Sequence, residues 1–220
     1  MDTSKKQQKK KKSIMPGAFG YIATKKKSYL CRVGIYAAIG IAIFVFGLLV
    51  NKFDHANIFT ILAILMVLPA AKAMVAVIVF ARFKTVSSDR YQAVFEATTA
   101  NLSDYHSLKE VMASTSVIDS KVTLLTDVVF TSVDKVMNLD FALLTEHGFY
   151  GLVGKSNQDV SYMTNYLKDT LKEHHNSCEV KLTEKEDKFL SYARAIGANG
   201  VDDDAYNEKV VKTIETLIVK

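Results

Sequence analysis

Residues 33–81 are almost continuously apolar, broken only by a polar stretch at 51–57 and by Lys72. A helix needs about 20 mostly apolar residues to cross a bilayer core, and 33–50 and 58–81 come close to or exceed that length. The pattern predicts a two-span transmembrane helical hairpin, with spans at about 31–50 and 58–81. Few other arrangements could hide so much contiguous apolar surface.

Charge draws the same boundary. Residues 1–86 carry 14 Lys or Arg against only Asp2 and Asp54, a balance of +12. Residues 87–220 carry the other 14 against 21 acids, a balance of −7. The expected organisation is therefore a basic disordered tail over 1–28, a membrane hairpin over 29–84 and a cytoplasmic domain over 85–220. At that length there is room for one soluble domain with its own core.

Basic residues flank both spans: Lys5, Lys6, Lys9 to Lys12 and Lys25 to Lys27 before the first, Arg82 and Lys84 after the second. Lys and Arg beside span ends are retained in the cytoplasm, so both termini are expected there, in a plasma or inner membrane. The same clusters would attract anionic lipid headgroups. A cleaved signal peptide fits less well: the first apolar run exceeds the usual 7–15 residues, and a second span follows within a few residues.

Two features inside the spans stand out. Gly34, Ala38 and Ala42 recur every four positions and would allow close helix approach, either within the hairpin or between copies in a homo-oligomer. Pro69 removes a backbone donor and should kink the second span one turn before Lys72. A Lys in a membrane costs roughly 2.5–3.5 kcal/mol on insertion scales. Either its long stem snorkels to the interface, or it serves ion passage in an oligomeric pore or transport subunit.

The soluble part reads as α+β, an antiparallel strand meander flanked by helices. Ser88 opens a helix with Tyr91, Val94 and Phe95 on one face. A short helix is expected near 107–113. Strand signals follow at 122–131, 139–145 and 149–153, with Glu146, His147 and Gly148 forming a tight turn. Val160, Met163, Leu167 and Leu171 mark an amphipathic helix. A strand at 178–182 comes next. Thr183 and Glu186 then read as a capping box opening a helix with Phe189, Leu190, Ala193 and Ile196 on one face. Asp202 to Asp204 start a last helix carrying Val210, Ile214 and Leu217.

Asp140, followed by Phe149, Tyr150, Gly151, Leu152, Val153, Gly154 and Lys155, has the spacing of a two-strand acid–lysine motif. Over residues 88–182 this spacing and the element order resemble the nuclease-related NERD family, within the PD-(D/E)XK nuclease-like fold. The resemblance implies that Asp140 and a second acid hold Mg²⁺ while Lys155 positions the attacking water. The second acid falls on Val153, which cannot bind a metal. Asp127 and Glu146 are the carboxylates that could replace it. The −7 balance opposes nucleic acid as a partner, because phosphate binding needs Lys and Arg around the site.

Other constellations are weaker. His174, His175 and Cys178 lack a fourth metal ligand, and adjacent histidines point to different helix faces. Cys31 and Cys178 offer no disulfide framework. The sequence thus favours a membrane-anchored binding or scaffold module that performs no chemistry and holds no cofactor, with a lipid, protein or small-ligand partner. A membrane-tethered, Mg²⁺-dependent nuclease using Asp127, Asp140, Glu146 and Lys155 is the alternative.

Overall fold

A computed structural model describes residues 16–51, 57–102, 105–112, 117–119, 122–145, 148–154, 157–174, 178–198, 210, 212–214 and 216–218. Two apolar helical segments lead. Helix α1 (Tyr21–Val50) is followed by α2 (Ile58–Leu65) and α3 (Val67–Ala81), which together make a second segment of 24 residues. Both segments are long and apolar enough to cross a membrane, and only 6% of each apolar window is buried. A core helix of a soluble protein would bury most of that surface.

Asn57 caps α2 by accepting from Thr60 N at 3.0 Å. The second segment divides at Met66, three residues before Pro69. Pro69 has no N–H to give the carbonyl one turn back, and its ring crowds that carbonyl, so the interruption lies where the sequence placed a kink.

The close approach of the hairpin helices uses other small residues than those expected. Gly34 faces open space, and Ala38 and Ala42 are exposed. Gly40 instead lies against Met66 and Ala63, and a side chain at Gly47 would collide with Phe59. Seven residues separate Gly40 from Gly47, so both fall on one helix face, and that face, not the 34/38/42 stripe, meets α2.

The rest is a mixed sheet covered on both faces. It follows α4 (Ser88–Thr99) and the single turn α5 (Leu108–Glu110), which carries a capping box from Ser107 and Glu110. Strands β1 (Val117–Asp119), β2 (Val122–Thr131), β3 (Val136–Thr145), β4 (Gly148–Val153) and β5 (Glu179–Thr183) lie in the order β1-β2-β3-β4-β5. Strands β2 to β4 pair antiparallel as the expected meander, β1 adds an antiparallel edge strand that the sequence did not suggest, and β5 runs parallel to β4. A parallel neighbour requires a crossover, and α6 (Val160–Glu173) supplies it.

Helices α4 and α7 (Glu186–Ala198) cover one face through Tyr91, Val94, Phe95, Phe189 and Ala193. Helix α6 covers the other through Met163, Leu167 and Leu171, joined by Val210 and Ile214. With both faces covered, β2 and β3 are buried along nearly their whole length, their polar residues Thr126, Asp127, Asn138 and Asp140 included.

The boundary between hairpin and domain differs from the sequence expectation. The chain is helical from Tyr21, not from about residue 31, and Tyr21 and Ile22 are each 1% exposed. They share one core with Phe80, Phe83, Phe130 and Met137. A helix of 30 residues extends about 45 Å at 1.5 Å per residue, longer than a bilayer core of about 30 Å, so its first turns extend beyond the apolar window into the domain. The tail expected up to residue 28 is thus part of the folded core from Ala18 onward.

A second correction concerns Thr183 and Glu186. Thr183 ends β5 and its hydroxyl accepts from Lys185 N at 3.2 Å. Glu186 reaches across to Arg90 instead of closing a capping box. Glu146, His147, Lys155, His175 and the expected helix start at Asp202 to Asp204 lie outside the described residues.

Candidate functional site

Besides a register shift in the short edge strand β1, the sheet is irregular at one place in its interior. Strand β2 pairs Thr126 with Phe141 and Val128 with Leu139, which sets Asp127 opposite Asp140 without a ladder pair between them. Asp127 has a φ of 53°, a left-handed conformation that Asp tolerates better than most residues. On the other side of β3, the register with β4 slips between Leu139 and Phe141, so Asp140 is the additional residue of a bulge. Bulges re-aim side chains, and here both irregularities meet at two carboxylates.

The two carboxylates have different partners. Asp127, fully buried, accepts from Val86 N at 3.0 Å and Ile22 N at 3.4 Å, and Gly20 also donates to it. Gly20 is the N-cap residue of α1 and offers no side chain, so the carboxylate of Asp127, 105 residues beyond Ile22, caps that helix instead. Thr85 Oγ1 takes the next donor, Ala23 N, at 3.0 Å. The orphan N–H groups at the start of α1 are thereby satisfied by the domain. Burial pushes the Asp127 pKa up to about 6; the N–H bonds from Val86 and Ile22 oppose the rise and the nearby Asp140 charge adds to it.

Asp140 is 9% exposed and is paired with Arg90, whose Nη1 lies 2.7 Å from Asp140 Oδ2. Arg90 Nε reaches Glu186 Oε1 at 3.0 Å, so one guanidinium bridges β3 and the start of α7. Burial lowers the Arg90 pKa, but its bonds to Glu186 and Asp140 outweigh that effect and hold it above the ordinary value. The group stays charged throughout the accessible pH range.

Between these residues and the connection that leaves α3 is a cavity of about 340 Å³. Its walls include Arg82, Lys84, Ser87, Asn138, Asp140 and Gly154. A side chain at Gly154 would collide with Asp140, so the carboxylate packs into room that only a glycine at 154 leaves.

The structure therefore brings Asp127 and Asp140 into one neighbourhood but gives each a different partner. Val153, at the second-acid position of the motif, is a core residue 6% exposed. No group of three or more His, Cys, Asp or Glu able to hold a metal occurs among the described residues. Asp140 with a guanidinium on one oxygen, Asp127 bonded to main-chain donors and an apolar Val153 do not fit the Mg²⁺ that the nuclease resemblance implies. His174 Nδ1 lies 2.9 Å from the Thr170 carbonyl, while Cys178 rests half-buried beside the core. Lys72 is exposed on α3, beside buried Ala73.

Arg90, Glu186 and Asn138 are absent from the site expected from the sequence, in which Gly154 figures only in the motif spacing. Arg90 carries a signal of its own: a cation in the first turn of a helix opposes the macrodipole, which favours acids there, so an anionic partner is needed. Comparison of the chain with protein-family models, curated proteins and solved structures finds no match.

Proposed function

We propose that this chain is a membrane-anchored cytoplasmic module that binds a ligand at the cavity before Asp140 and does not cleave it. The observation that carries this reading is the 2.7 Å ion pair between Arg90 and Asp140. The guanidinium takes one of the two Asp140 oxygens and already supplies the positive charge a divalent cation would bring, which weakens this carboxylate as a metal ligand. We read the domain as a degenerate relative of the nuclease-like fold, with Asp127 and Asp140 paired to other groups.

The anchoring half of the proposal rests on the two exposed apolar segments and on where the charge lies. Lys25, Lys26, Lys27 and Arg32 near the start of α1, and Arg82 and Lys84 after α3, flank the same end of the hairpin as the domain. On this reading both termini lie in the cytoplasm, at a plasma or inner membrane, with 51–57 on the other side. Anionic headgroups are the natural counter-charge for these cations.

The test uses the full chain in detergent, incubated with DNA and RNA in Mg²⁺ or Mn²⁺. The reading expects no cleavage. Cleavage that disappears in Asp140→Ala establishes the metal-dependent nuclease instead.

A further inference from the structure

The cavity before Asp140 contains hydrogen-bonding groups that its own walls leave unmatched. Asn138 is 2% exposed. Gln158 Oε1 accepts from Asn138 N at 2.8 Å, and Gln158 Nε2 donates to Asn138 O at 3.2 Å and to Asn138 Oδ1 at 2.9 Å. With both ends of Gln158 committed, the orientation of the Asn138 carboxamide is fixed: Oδ1 faces Gln158 and Nδ2 faces away. Nδ2 has no acceptor among the described residues, and a buried donor left in that state bears its full desolvation cost.

A complementary group stands beside it. Asp140 Oδ2 is taken by Arg90, while Oδ1 has no donor among the described residues. Gly154 lies against both: a Cβ there would strike Asp140 Oδ1 and lie 2.8 Å from Asn138 Nδ2. Gly154 has no left-handed φ, so space and not conformation is what requires glycine. The wall of the cavity thus offers one donor and one acceptor close together. A hydroxyl, which accepts from Nδ2 and donates to Oδ1, matches both.

The rim has the opposite character. Arg90 is neutralised by Asp140 and Glu186, but Arg82 and Lys84 have no acidic partner among the described residues. Helix α4, twelve residues long, also begins at this wall, its N-cap Ser87 lining the cavity. Two cations and the start of a helix favour a phosphate. Arg82 directly follows α3, so the cavity opens at the level where the second apolar segment ends.

We propose that the cavity binds a phosphate ester bearing a hydroxyl, its phosphate held by Arg82, Lys84 and the start of α4 and its hydroxyl by Asn138 Nδ2 and Asp140 Oδ1. This rests on the binding-module reading and names the ligand class of that site. Polyol headgroups of anionic phospholipids and free polyol phosphates share the chemistry.

The test uses the full chain in nanodiscs of phosphatidylcholine containing either phosphatidylglycerol or phosphatidic acid, and in detergent with glycerol 3-phosphate; bound probe is read by native mass spectrometry. One lost charge-assisted contact corresponds to roughly a tenfold loss of affinity. Phosphatidylglycerol should be retained about tenfold over phosphatidic acid, which lacks the hydroxyl. Asn138→Asp, isosteric but with an acceptor in place of Nδ2, should cost about tenfold, as should the exposed double variant Arg82→Ala/Lys84→Ala. Variant-sensitive binding of glycerol 3-phosphate alone supports the same chemistry with a soluble source. Binding of neither probe, or binding unchanged in both variants, overturns the proposal. Those results leave a non-cleaving module with another ligand, whereas Asp140-dependent cleavage of nucleic acid removes the module reading itself.

Discussion

The Asp127 carboxylate accepts the backbone N–H of Ile22 at 3.4 Å across 105 residues of chain, so an acid in the middle of the sheet caps the first apolar helix. The same carboxylate holds Val86 N at 3.0 Å, where the chain returns from the second apolar segment. One buried side chain therefore fixes both ends of the hairpin to the domain.

Asp127→Ala leaves these main-chain donors buried without an acceptor. At about 1–3 kcal/mol for each unsatisfied group, the expected loss is about 2–5 kcal/mol of stability. Chemical denaturation of the full chain in detergent measures it. Asp127→Asn keeps an acceptor and should lose clearly less.

The same residue sets a pH dependence. Its folded pKa, about 6, exceeds the ordinary 3.8, so between those values the folded chain holds a proton that the unfolded chain has released. Its contribution therefore weakens stability as pH rises through that window and is constant above it. The difference in Tm between wild type and Asp127→Asn, followed from pH 4 to pH 8 in a scan anchored on those pKa values, should move in favour of the acid form at low pH. A constant difference contradicts the assignment.

Removing the hairpin should unfold the domain. Tyr21, Ile22, Phe80 and Phe83 lie in the core under β2 and β3. Burying each large side chain contributes about 1.5–3 kcal/mol, and four of them rival the 5–15 kcal/mol that holds a whole domain together. Residues 87–220 expressed alone should lack a cooperative thermal transition. A sharp transition in that fragment shows that the shared core is dispensable.

Much of this architecture was legible in the residues. The strands at 122–131, 139–145 and 149–153 coincide with β2 or fall within β3 and β4, because β-branched and aromatic runs between turn residues have few alternatives. The faces of α4, α6 and α7 followed from helical spacing. Contacts between distant segments were not legible. Nothing near Gly20 announces that its helix is capped by Asp127, and Glu186 looked like a local cap when its partner was Arg90, 96 residues earlier. Pattern reading finds elements with their own periodicity; a site assembled from a sheet irregularity and a single guanidinium has none.

Arg90 and Asp140 should be energetically coupled. Arg90→Ala leaves a carboxylate with 12% side-chain exposure unpaired, while Arg90 itself, 36% exposed, is partly screened by solvent. A double-mutant cycle on Arg90→Ala and Asp140→Ala should give a coupling of about 1–3 kcal/mol. Coupling near zero removes the ion pair as a structural element.

Within the hairpin, the two glycines Gly34 and Gly47 should respond differently. Gly47→Leu forces α1 away from Phe59 and should lower the detergent-resistant melting temperature by several degrees, the shift expected for about 1–3 kcal/mol of overpacking. Gly34→Leu enters open space and should leave it unchanged.

The anchoring that underlies the proposed function is tested most directly by labelling single cysteines in intact cells. With Cys31 and Cys178 replaced by Ser, Asp54→Cys samples the connection between the apolar segments, and Val133→Cys samples a fully exposed turn of the domain. An impermeant maleimide should label residue 54 in intact cells and residue 133 only after permeabilisation. The reverse pattern, or recovery of the unlabelled chain in the soluble fraction, contradicts a cytoplasmic module held on a membrane hairpin.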